Sequence, residues 1–154
     1  MRLDELELQS WGERIGSKIK TPSVIALQGR LGAGKSVLAR AIGRGAGVTA
    51  DMPSPSFNLL LRYSTSSGRE VVHVDLYRLR STDELWELGW SAIGQGNEIL
   101  MVEWADRAGP FMPQDHWIIG LSAPYDDRSR RDIEIRRIGR PPELPSFRTS
   151  SLSK

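Results

Sequence analysis

The segment "GRLGAGKS", residues 29–36, has the spacing of a phosphate-binding P-loop. Gly29 is followed by four residues and then by Gly34, Lys35 and Ser36, which matches the pattern G-x-x-x-x-G-K-[ST]. The alternative is a flexible turn that carries a lysine by coincidence. Average residue frequencies make a chance match rare in a chain of 154 residues. Phosphate binding is therefore the first hypothesis.

The residues on both sides of this loop favour the strand and helix that a P-loop requires. The run "SVIALQ", residues 23–28, is apolar and partly β-branched, as is typical of a buried parallel strand. After the loop, four apolar residues recur at helical spacing, namely Val37, Leu38, Ala41 and Ile42. A loop in this context turns its N–H groups inward beside the positive end of the helix. We therefore expect Lys35 to reach the β- and γ-phosphates and the Ser36 hydroxyl to ligate Mg²⁺.

Length and composition indicate one domain without a membrane span. A chain of 154 residues is long enough for a single sheet with helices packed on it. It contains no run of 18 apolar residues, and its acidic start "MRLDELELQS" lacks the apolar region of a signal peptide. The absence of cysteine excludes disulfides and thiolate metal sites. We therefore expect a cytoplasmic protein.

Periodicity along the rest of the chain predicts alternating helices and strands, and hence an α/β fold. A helix is expected over residues 4–20, with Leu6, Ile15 and Ile19 among its apolar positions. The further expected elements are an antiparallel strand pair near 57–63 and 70–76, a helix near 82–88, a strand at 99–104, and paired strands near 117–122 and 132–138. Residues 140–154 are rich in proline and serine, which predicts a flexible tail after a domain of residues 1–139.

Two acidic residues near predicted strand ends are candidates for the chemistry that a P-loop needs. Asp75 shares one strand face with His73, and Glu103 ends the apolar run "ILMVE". A carboxylate at the end of a buried strand beside the P-loop strand is placed to act at a metal site. Asp75 could instead cap a turn or pair with a surface arginine, and a hydrogen-bonded structural role is the commoner one for His73.

Neighbouring aromatic and basic residues leave further alternatives open. Trp104 could serve packing or cover a nucleotide, and Arg78 could stabilise phosphoryl charge or form a salt bridge. The basic run "RSRRDIEIRRIGR", residues 128–140, reads either as the solvated side of an edge strand or as a nucleic-acid patch. The net charge of +2 does not decide between them.

The order and spacing of five motifs resemble those of the TsaE (YjeE) family of P-loop ATPases. These motifs are "GRLGAGKS" at 29–36, "SPSF" at 54–57, "HVDLYRL" at 73–79, "ELWELGW" at 84–90 and "VEWADR" at 102–107. The resemblance covers about residues 4–139. The P-loop is generic, whereas the "H-x-D-x-Y-R-L" and "E-W" motifs that follow it are specific.

The resemblance implies a single domain of the P-loop NTPase type, with a mixed sheet and flanking helices. It also implies a cytoplasmic enzyme that binds ATP and Mg²⁺, hydrolyses ATP slowly when alone, and acts with the proteins TsaB and TsaD. In that system TsaD transfers a threonylcarbamoyl group to adenosine 37 of tRNA, and ATP hydrolysis by TsaE resets the complex between turnovers. Contact with tRNA would then be indirect.

The resemblance also implies roles for individual residues. The nucleotide loop would comprise Leu31, Gly32, Ala33, Gly34, Lys35 and Ser36. Ser36 and Glu103 would ligate the metal, while Asp75, Glu103 and Lys35 would act in hydrolysis. Residues 54–57 match a mobile switch-like segment. Glu5 and Arg130 are weaker matches for contacts to the nucleotide.

Three positions depart from the family pattern, and two other functions stay open. Arg30 stands where aspartate is usual, whereas Ser36 and Ser56 replace threonine and keep its hydroxyl. A small-molecule phosphotransferase would need an arginine-rich lid and an acceptor pocket, for which the sequence shows little room. A nucleotide-regulated binding module with negligible turnover is the other alternative.

Overall fold

The computed structural model, which describes residues 1–53, 55 and 59–147, consists of one mixed sheet with helices on both faces. The seven strands are β1 (Arg2–Asp4), β2 (Ser23–Gln28), β3 (Leu60–Ser64), β4 (Glu70–Asp75), β5 (Glu98–Glu103), β6 (His116–Ser122) and β7 (Arg130–Ile138). The helices are α1 (Glu5–Lys18), α2 (Lys35–Ala46) and α3 (Thr82–Glu87), with short 3₁₀ turns at Trp90–Ala92, Ala105–Arg107 and Gly109–Phe111. In this described part, each helix is too short or too polar to cross a bilayer.

The sheet has the strand order β1-β7-β6-β2-β5-β4-β3. Strand β2 lies between β5 and β6 and is parallel to both, and β4 is parallel to β5. Antiparallel pairs complete the two edges, β3 with β4 on one side and β6, β7 and β1 on the other. This arrangement confirms the predicted α/β fold with a mixed sheet, and the predicted pairing of both antiparallel hairpins.

Alternating side chains of the central strands fill two separate cores. On one face Ile25, Leu27 and Met101 pack with residues of α1 and α2. On the other face Val24 and Val102 pack with residues from the α3 region. All five side chains are at most 2% exposed, as expected of parallel strands covered on both sides. Because strand residues alternate, the apolar residues of β4 and β5 are divided between the two cores.

Helix α1 starts with a capping box. The Glu7 N–H donates to the Asp4 side chain at 2.8 Å, and the Asp4 N–H donates to the Glu7 side chain at 2.9 Å. The expectation that Leu6 faces the core is wrong, since its side chain is 77% exposed, whereas Ile15 and Ile19 are buried as expected. Leu6 lies outside the apolar stripe, which is instead formed by Leu8, Trp11 and Ile15.

Most predicted elements lie within three residues of the observed ones. Strand β1 was not expected, because three residues are too few to show a period of two. It pairs with the start of β7, Leu3 lying opposite Arg131. The strand expected near 57–63 begins at Leu60. The switch-like segment predicted at 54–57 lies outside the described residues except for Pro55.

Residues 140–147, which were expected to begin a flexible tail, instead pack against the domain. The Trp11 indole N–H donates to the Pro145 carbonyl at 2.9 Å, and the Trp117 indole N–H donates to the Pro142 carbonyl at 2.7 Å. Leu144 and Phe147 contact the core on the α1 side. Indole donors and apolar side chains distant in sequence hold this segment, so its composition alone did not predict its position.

Helices α1 and α2 approach each other closely because glycine lies at their contact. A Cβ atom placed on Gly16 would overlap the carbonyl oxygen of Ile42, and one placed on Gly12 would lie 2.6 Å from the Ala41 Cβ. Gly45 of α2 faces the Glu13 carbonyl in the same way. An ion pair of 3.2 Å between Arg44 and Glu13 borders this contact. The absence of side chains at these positions therefore determines the distance between the two helices.

We expect Gly16→Ala to destabilise the protein by about 1–3 kcal/mol, the usual effect of overpacking. Replacing glycine by alanine at an open helix position would instead stabilise the protein by about 1 kcal/mol. The sign of the change in the free energy of unfolding therefore shows whether Gly16 is in close contact with α2. Urea unfolding followed by circular dichroism measures it, with Ser17→Ala as the exposed neighbouring control. A Gly16→Ala protein as stable as the parent would contradict the close packing of α1 on α2.

Candidate functional site

A cleft of about 580 Å³ lies where the P-loop segment meets the carboxyl ends of β4 and β5. This is the edge of an open α/β sheet at which ligands bind, and the volume is within the usual range for small-molecule sites. Its lining residues are Arg30, Leu31, Gly32, Gly34, Lys35, Ser36, Val37, Asp75, Tyr77, Arg78, Glu103 and Trp104. The structure thus brings the predicted loop and both predicted carboxylates into one cavity.

The loop between β2 and α2 depends on glycine at its two ends. Gly29 has φ of +149° and Gly34 has φ of +106°, both in a region that other residues rarely adopt. A Cβ on Gly29 would also lie 2.6 Å from the Leu121 carbonyl oxygen. Five of the six predicted loop residues line the cleft, whereas Ala33 is buried beneath it and its N–H donates to the Arg30 carbonyl.

The first turn of α2 presents its N–H groups and the Lys35 ammonium at the cleft. The first N–H groups of any α-helix have no carbonyl one turn earlier to which they can donate. In α2 these N–H groups belong to the residues from Gly34 to Ser36. The Lys35 Nζ donates to the Gly29 carbonyl and so bends back over the loop. The positive helix end and the ammonium together suit an anion.

Asp75 and Glu103 lie opposite each other on the parallel strands β4 and β5. Backbone hydrogen bonds continue past the strand ends, since the Leu76 N–H donates to the Glu103 carbonyl at 3.1 Å. The Tyr77 N–H donates to the Asp75 carboxylate at 2.9 Å and orients it. Partial burial raises the pKa of the Asp75 carboxyl; the Tyr77 N–H opposes this shift, and the charge of Glu103 adds to it.

Glu103 and His73 form a buried hydrogen bond between the same two strands. The His73 Nε2 lies 3.2 Å from the Glu103 Oε2, and both residues are less than 5% exposed. A carboxylate oxygen only accepts, so Nε2 is the donor. This contact satisfies one oxygen of a carboxylate that would otherwise be costly to bury. His73 therefore has the structural role that was expected of it.

Aromatic residues form one wall of the cleft. The rings of Tyr77 and Trp104 have their centroids 5.0 Å apart at a tilt of 49°, and the Arg107 guanidinium lies 6.0 Å from the Tyr77 centroid. Trp104 is 41% exposed and has a positive φ of 58°, which is unusual for a residue with a side chain. Its ring thus packs against Tyr77, as one of the two expected roles requires, and the other role, covering a ligand, stays a prediction.

The oxygen groups in the cleft suit magnesium better than a transition metal. Ser36, Asp75 and Glu103 offer a hydroxyl and carboxylates, the hard ligands that Mg²⁺ prefers. Among the described residues there is no cluster of three or more His, Cys, Asp and Glu side chains of the kind that encloses a metal. A site with few protein ligands is typical of Mg²⁺ bound jointly with substrate phosphates.

Two predicted nucleotide contacts do not line the cleft. Glu5 is exposed at the start of α1 and accepts a hydrogen bond from the Gln9 side chain at 3.3 Å. Arg130 pairs with Glu7 at 3.9 Å and with Asp127 at 3.7 Å. The roles of these two residues stay predictions.

Sequence reasoning missed two residues that contribute to the cleft and its loop. Tyr77 lines the cleft, and its position two residues after Asp75 is the sequence signal that could have identified it. Arg131, on β7, contacts loop residues 98 and 99 positions earlier in the chain, and its sequence position carried no comparable signal. Its guanidinium donates to the Ala33 carbonyl at 3.0 Å.

Comparison with known proteins gives a family match over most of the chain. Residues 3–133 match the model of the family "Threonylcarbamoyl adenosine biosynthesis protein TsaE". Relatives named tRNA threonylcarbamoyladenosine biosynthesis protein TsaE include one from Treponema pallidum, 32% identical over 81% of this chain and 90% of its own. The relative from Nostoc is 35% identical over 80% of this chain and 76% of its own.

A relative from Haemophilus influenzae and one solved structure extend the match. The former carries the same name and is 30% identical over 86% of this chain and 84% of its own. The crystal structure of Bacillus subtilis YdiB has the same fold, with a TM-score of 0.72 and 24% identity over 90% of this chain and 84% of YdiB. The family match and the three relatives agree, and the chain belongs to the TsaE family of threonylcarbamoyl adenosine biosynthesis proteins.

Proposed function

We propose that this protein is a Mg²⁺-dependent ATPase that supports, together with TsaB and TsaD, the threonylcarbamoylation of adenosine 37 in tRNA. The observation that carries the proposal is the cleft in which a P-loop, Asp75 and Glu103 face one another. Phosphoryl transfer to water requires phosphate binding, metal ligation and a group that orients the attacking oxygen, and each has a candidate here. The names of the TsaE relatives support the biological setting.

The P-loop would bind the phosphates of ATP through main-chain N–H groups at the start of α2. Lys35 would exchange the Gly29 carbonyl for a phosphate oxygen, which is the stronger acceptor because it is charged. Arg30 and Arg78 add positive charge to the same cleft. These groups bind and orient the polyphosphate, and water is displaced as it enters.

Ser36 and Glu103 would hold Mg²⁺, which neutralises charge on the phosphates when bound. Glu103 is held by His73 from beneath, so its carboxylate has a defined orientation before any ligand enters. Asp75, oriented by the Tyr77 N–H, would accept a hydrogen bond from the attacking water. A raised pKa suits this carboxylate to accept a proton as the water reacts.

Replacing Lys35 tests whether the cleft is the ATP site. We expect Lys35→Ala to lower ATP turnover by at least about 100-fold, because one preorganised charge contact is lost where negative charge develops. The fold should persist by circular dichroism. Lys20→Ala, which removes an exposed lysine outside the cleft, is the matched control and should retain turnover. Turnover by folded Lys35→Ala equal to that of Lys20→Ala would refute the site.

We expect Asp75→Asn to remove most ATP turnover while leaving the nucleotide-free protein at least as stable as the parent at pH 7.5. The folded state raises the pKa of Asp75 above the unfolded value of about 3.9, so ionising this carboxyl opposes folding. As the pH rises through the range between these two pKa values, the parent protein loses stability. The Asp75→Asn variant does not, because asparagine does not ionise. The advantage of the variant should therefore disappear as pH is lowered toward 4.

Thermal melts of parent and variant between pH 4 and pH 7.5, without nucleotide or magnesium, measure this dependence. Asp83→Asn, at an exposed position in the first turn of α3, controls for the loss of one negative charge. If Asp75→Asn melts well below the parent at pH 7.5, Asp75 supports the fold and its assignment to the chemistry is wrong.

The partnership is tested by measuring ATP hydrolysis by this protein alone and mixed with TsaB and TsaD from the same organism. We expect the mixture to hydrolyse more ATP than the sum of its components, and the excess to disappear with Lys35→Ala. If the partners change nothing although the isolated protein binds ATP, the proposed role with TsaB and TsaD is wrong. Transfer of phosphate to a small molecule would then be the alternative to examine.

A further inference from the structure

Arg131 contacts carbonyl groups of the nucleotide loop and does not itself line the cleft. Its Nε donates to the Ala33 carbonyl at 3.0 Å and its Nη2 to the Gly32 carbonyl at 3.3 Å. Its Nη1 donates to the Arg128 and Arg130 carbonyls at 2.8 and 2.7 Å. Four of the five N–H donors of the guanidinium thus bind main-chain oxygens.

These contacts join two segments that are distant in the chain. Two of the four carbonyls belong to the P-loop, and the other two belong to the start of β7 and the turn before it. Among the ion pairs of the residues described above, none involves Arg131. Its charge is therefore directed at backbone oxygens, and not at the carboxylates that neighbouring arginines contact.

The orientation of the loop peptides follows from these contacts. In a planar trans peptide, the carbonyl of one residue and the N–H of the next point in opposite directions. With the Ala33 carbonyl held by Arg131, the Gly34 N–H is directed to the opposite side of the loop, and Gly34 lines the cleft. The same argument for the Gly32 carbonyl directs the Ala33 N–H, which donates to the Arg30 carbonyl at 3.0 Å.

We propose that Arg131 is a positioning residue for the nucleotide loop, holding the Gly32 and Ala33 carbonyls so that the Gly34 N–H is preset toward the phosphates and the Ala33 N–H keeps its bond to the Arg30 carbonyl. The effect on phosphate binding rests on the proposed ATP binding, whereas the position of Arg131 rests on the hydrogen bonds alone. The neighbouring Arg130 does not share this role, because its side chain pairs with Glu7 and Asp127. Arg131 touches no cleft surface and acts through the loop.

The expected effect falls on affinity. Loop N–H groups bind the phosphates similarly before and during reaction, so their misorientation raises KM and changes kcat little. We expect Arg131→Ala to raise the KM for MgATP about tenfold, the loss expected from one charge-assisted hydrogen bond. Arg131→Lys should give an intermediate KM, because lysine keeps the charge but lacks the planar fork.

The test compares Arg131→Ala with Arg136→Ala, which removes the same charge from an exposed position of the same strand. Hydrogen exchange of the loop without nucleotide is measured first, and steady-state kinetics and thermal melts follow. We expect faster exchange at the Ala33 amide and a raised KM for Arg131→Ala but not for Arg136→Ala, and the same melting temperature for both variants. If the exchange rate and KM of Arg131→Ala equal those of Arg136→Ala, the inference is overturned. A lower kcat and a lower melting temperature of Arg131→Ala at unchanged KM would overturn it as well. Faster exchange in a protein whose parent binds no ATP would uphold the positioning role and refute the proposed function.

Discussion

The register between three parallel strands determines where the functional groups of this protein lie. Leu27 of β2 is opposite Glu103 of β5, and Glu103 is opposite Asp75 of β4, so all three strands end at one level. The P-loop follows β2 directly and therefore begins beside both carboxylates. A shift by one residue would turn Glu103 and Asp75 to the opposite face, toward α3, and leave the loop without acidic partners. The hydrogen bonds of the sheet thus specify both the core and the site.

The same arrangement places polar groups where a stable core would have apolar ones. Glu103 and His73 are buried on the face that packs against α1 and α2, and their hydrogen bond joins β4 to β5 within that layer. Removing one partner of a buried polar pair leaves the other unsatisfied, so both residues are constrained together. Asp75 is only half-buried and lines the cleft. Glu103, the proposed metal ligand, is therefore more buried than Asp75, the proposed proton acceptor. This difference in burial distinguishes two carboxylates of similar chemistry.

Local patterns predicted most of the fold and the centre of the site. The loop, strand β2, helix α2 and the two carboxylates each have a signal within a few neighbouring residues, and the parallel sheet then brings them together. Features that depend on distant contacts were not predictable in this way. Strand β1 forms only because β7 accepts it, Leu6 lies outside the apolar stripe of α1, and residues 140–147 are held by Trp11 and Trp117. Arg131 belongs to the same class, since its role depends on a loop about a hundred positions earlier.

The hydrogen bond between the Lys35 ammonium and the Gly29 carbonyl would compete with any phosphate that the loop binds. A polyphosphate that entered the cleft would have to displace this neutral oxygen from the ammonium, and the same oxygen would bind the lysine again once the phosphate had left. Such an exchange would lower affinity without weakening the phosphate contacts themselves, because the ammonium has a hydrogen-bond acceptor in both states. If the cleft is the proposed ATP site, product release would not leave the Lys35 ammonium without an acceptor, and the loop would return to the conformation that accepts the next nucleotide.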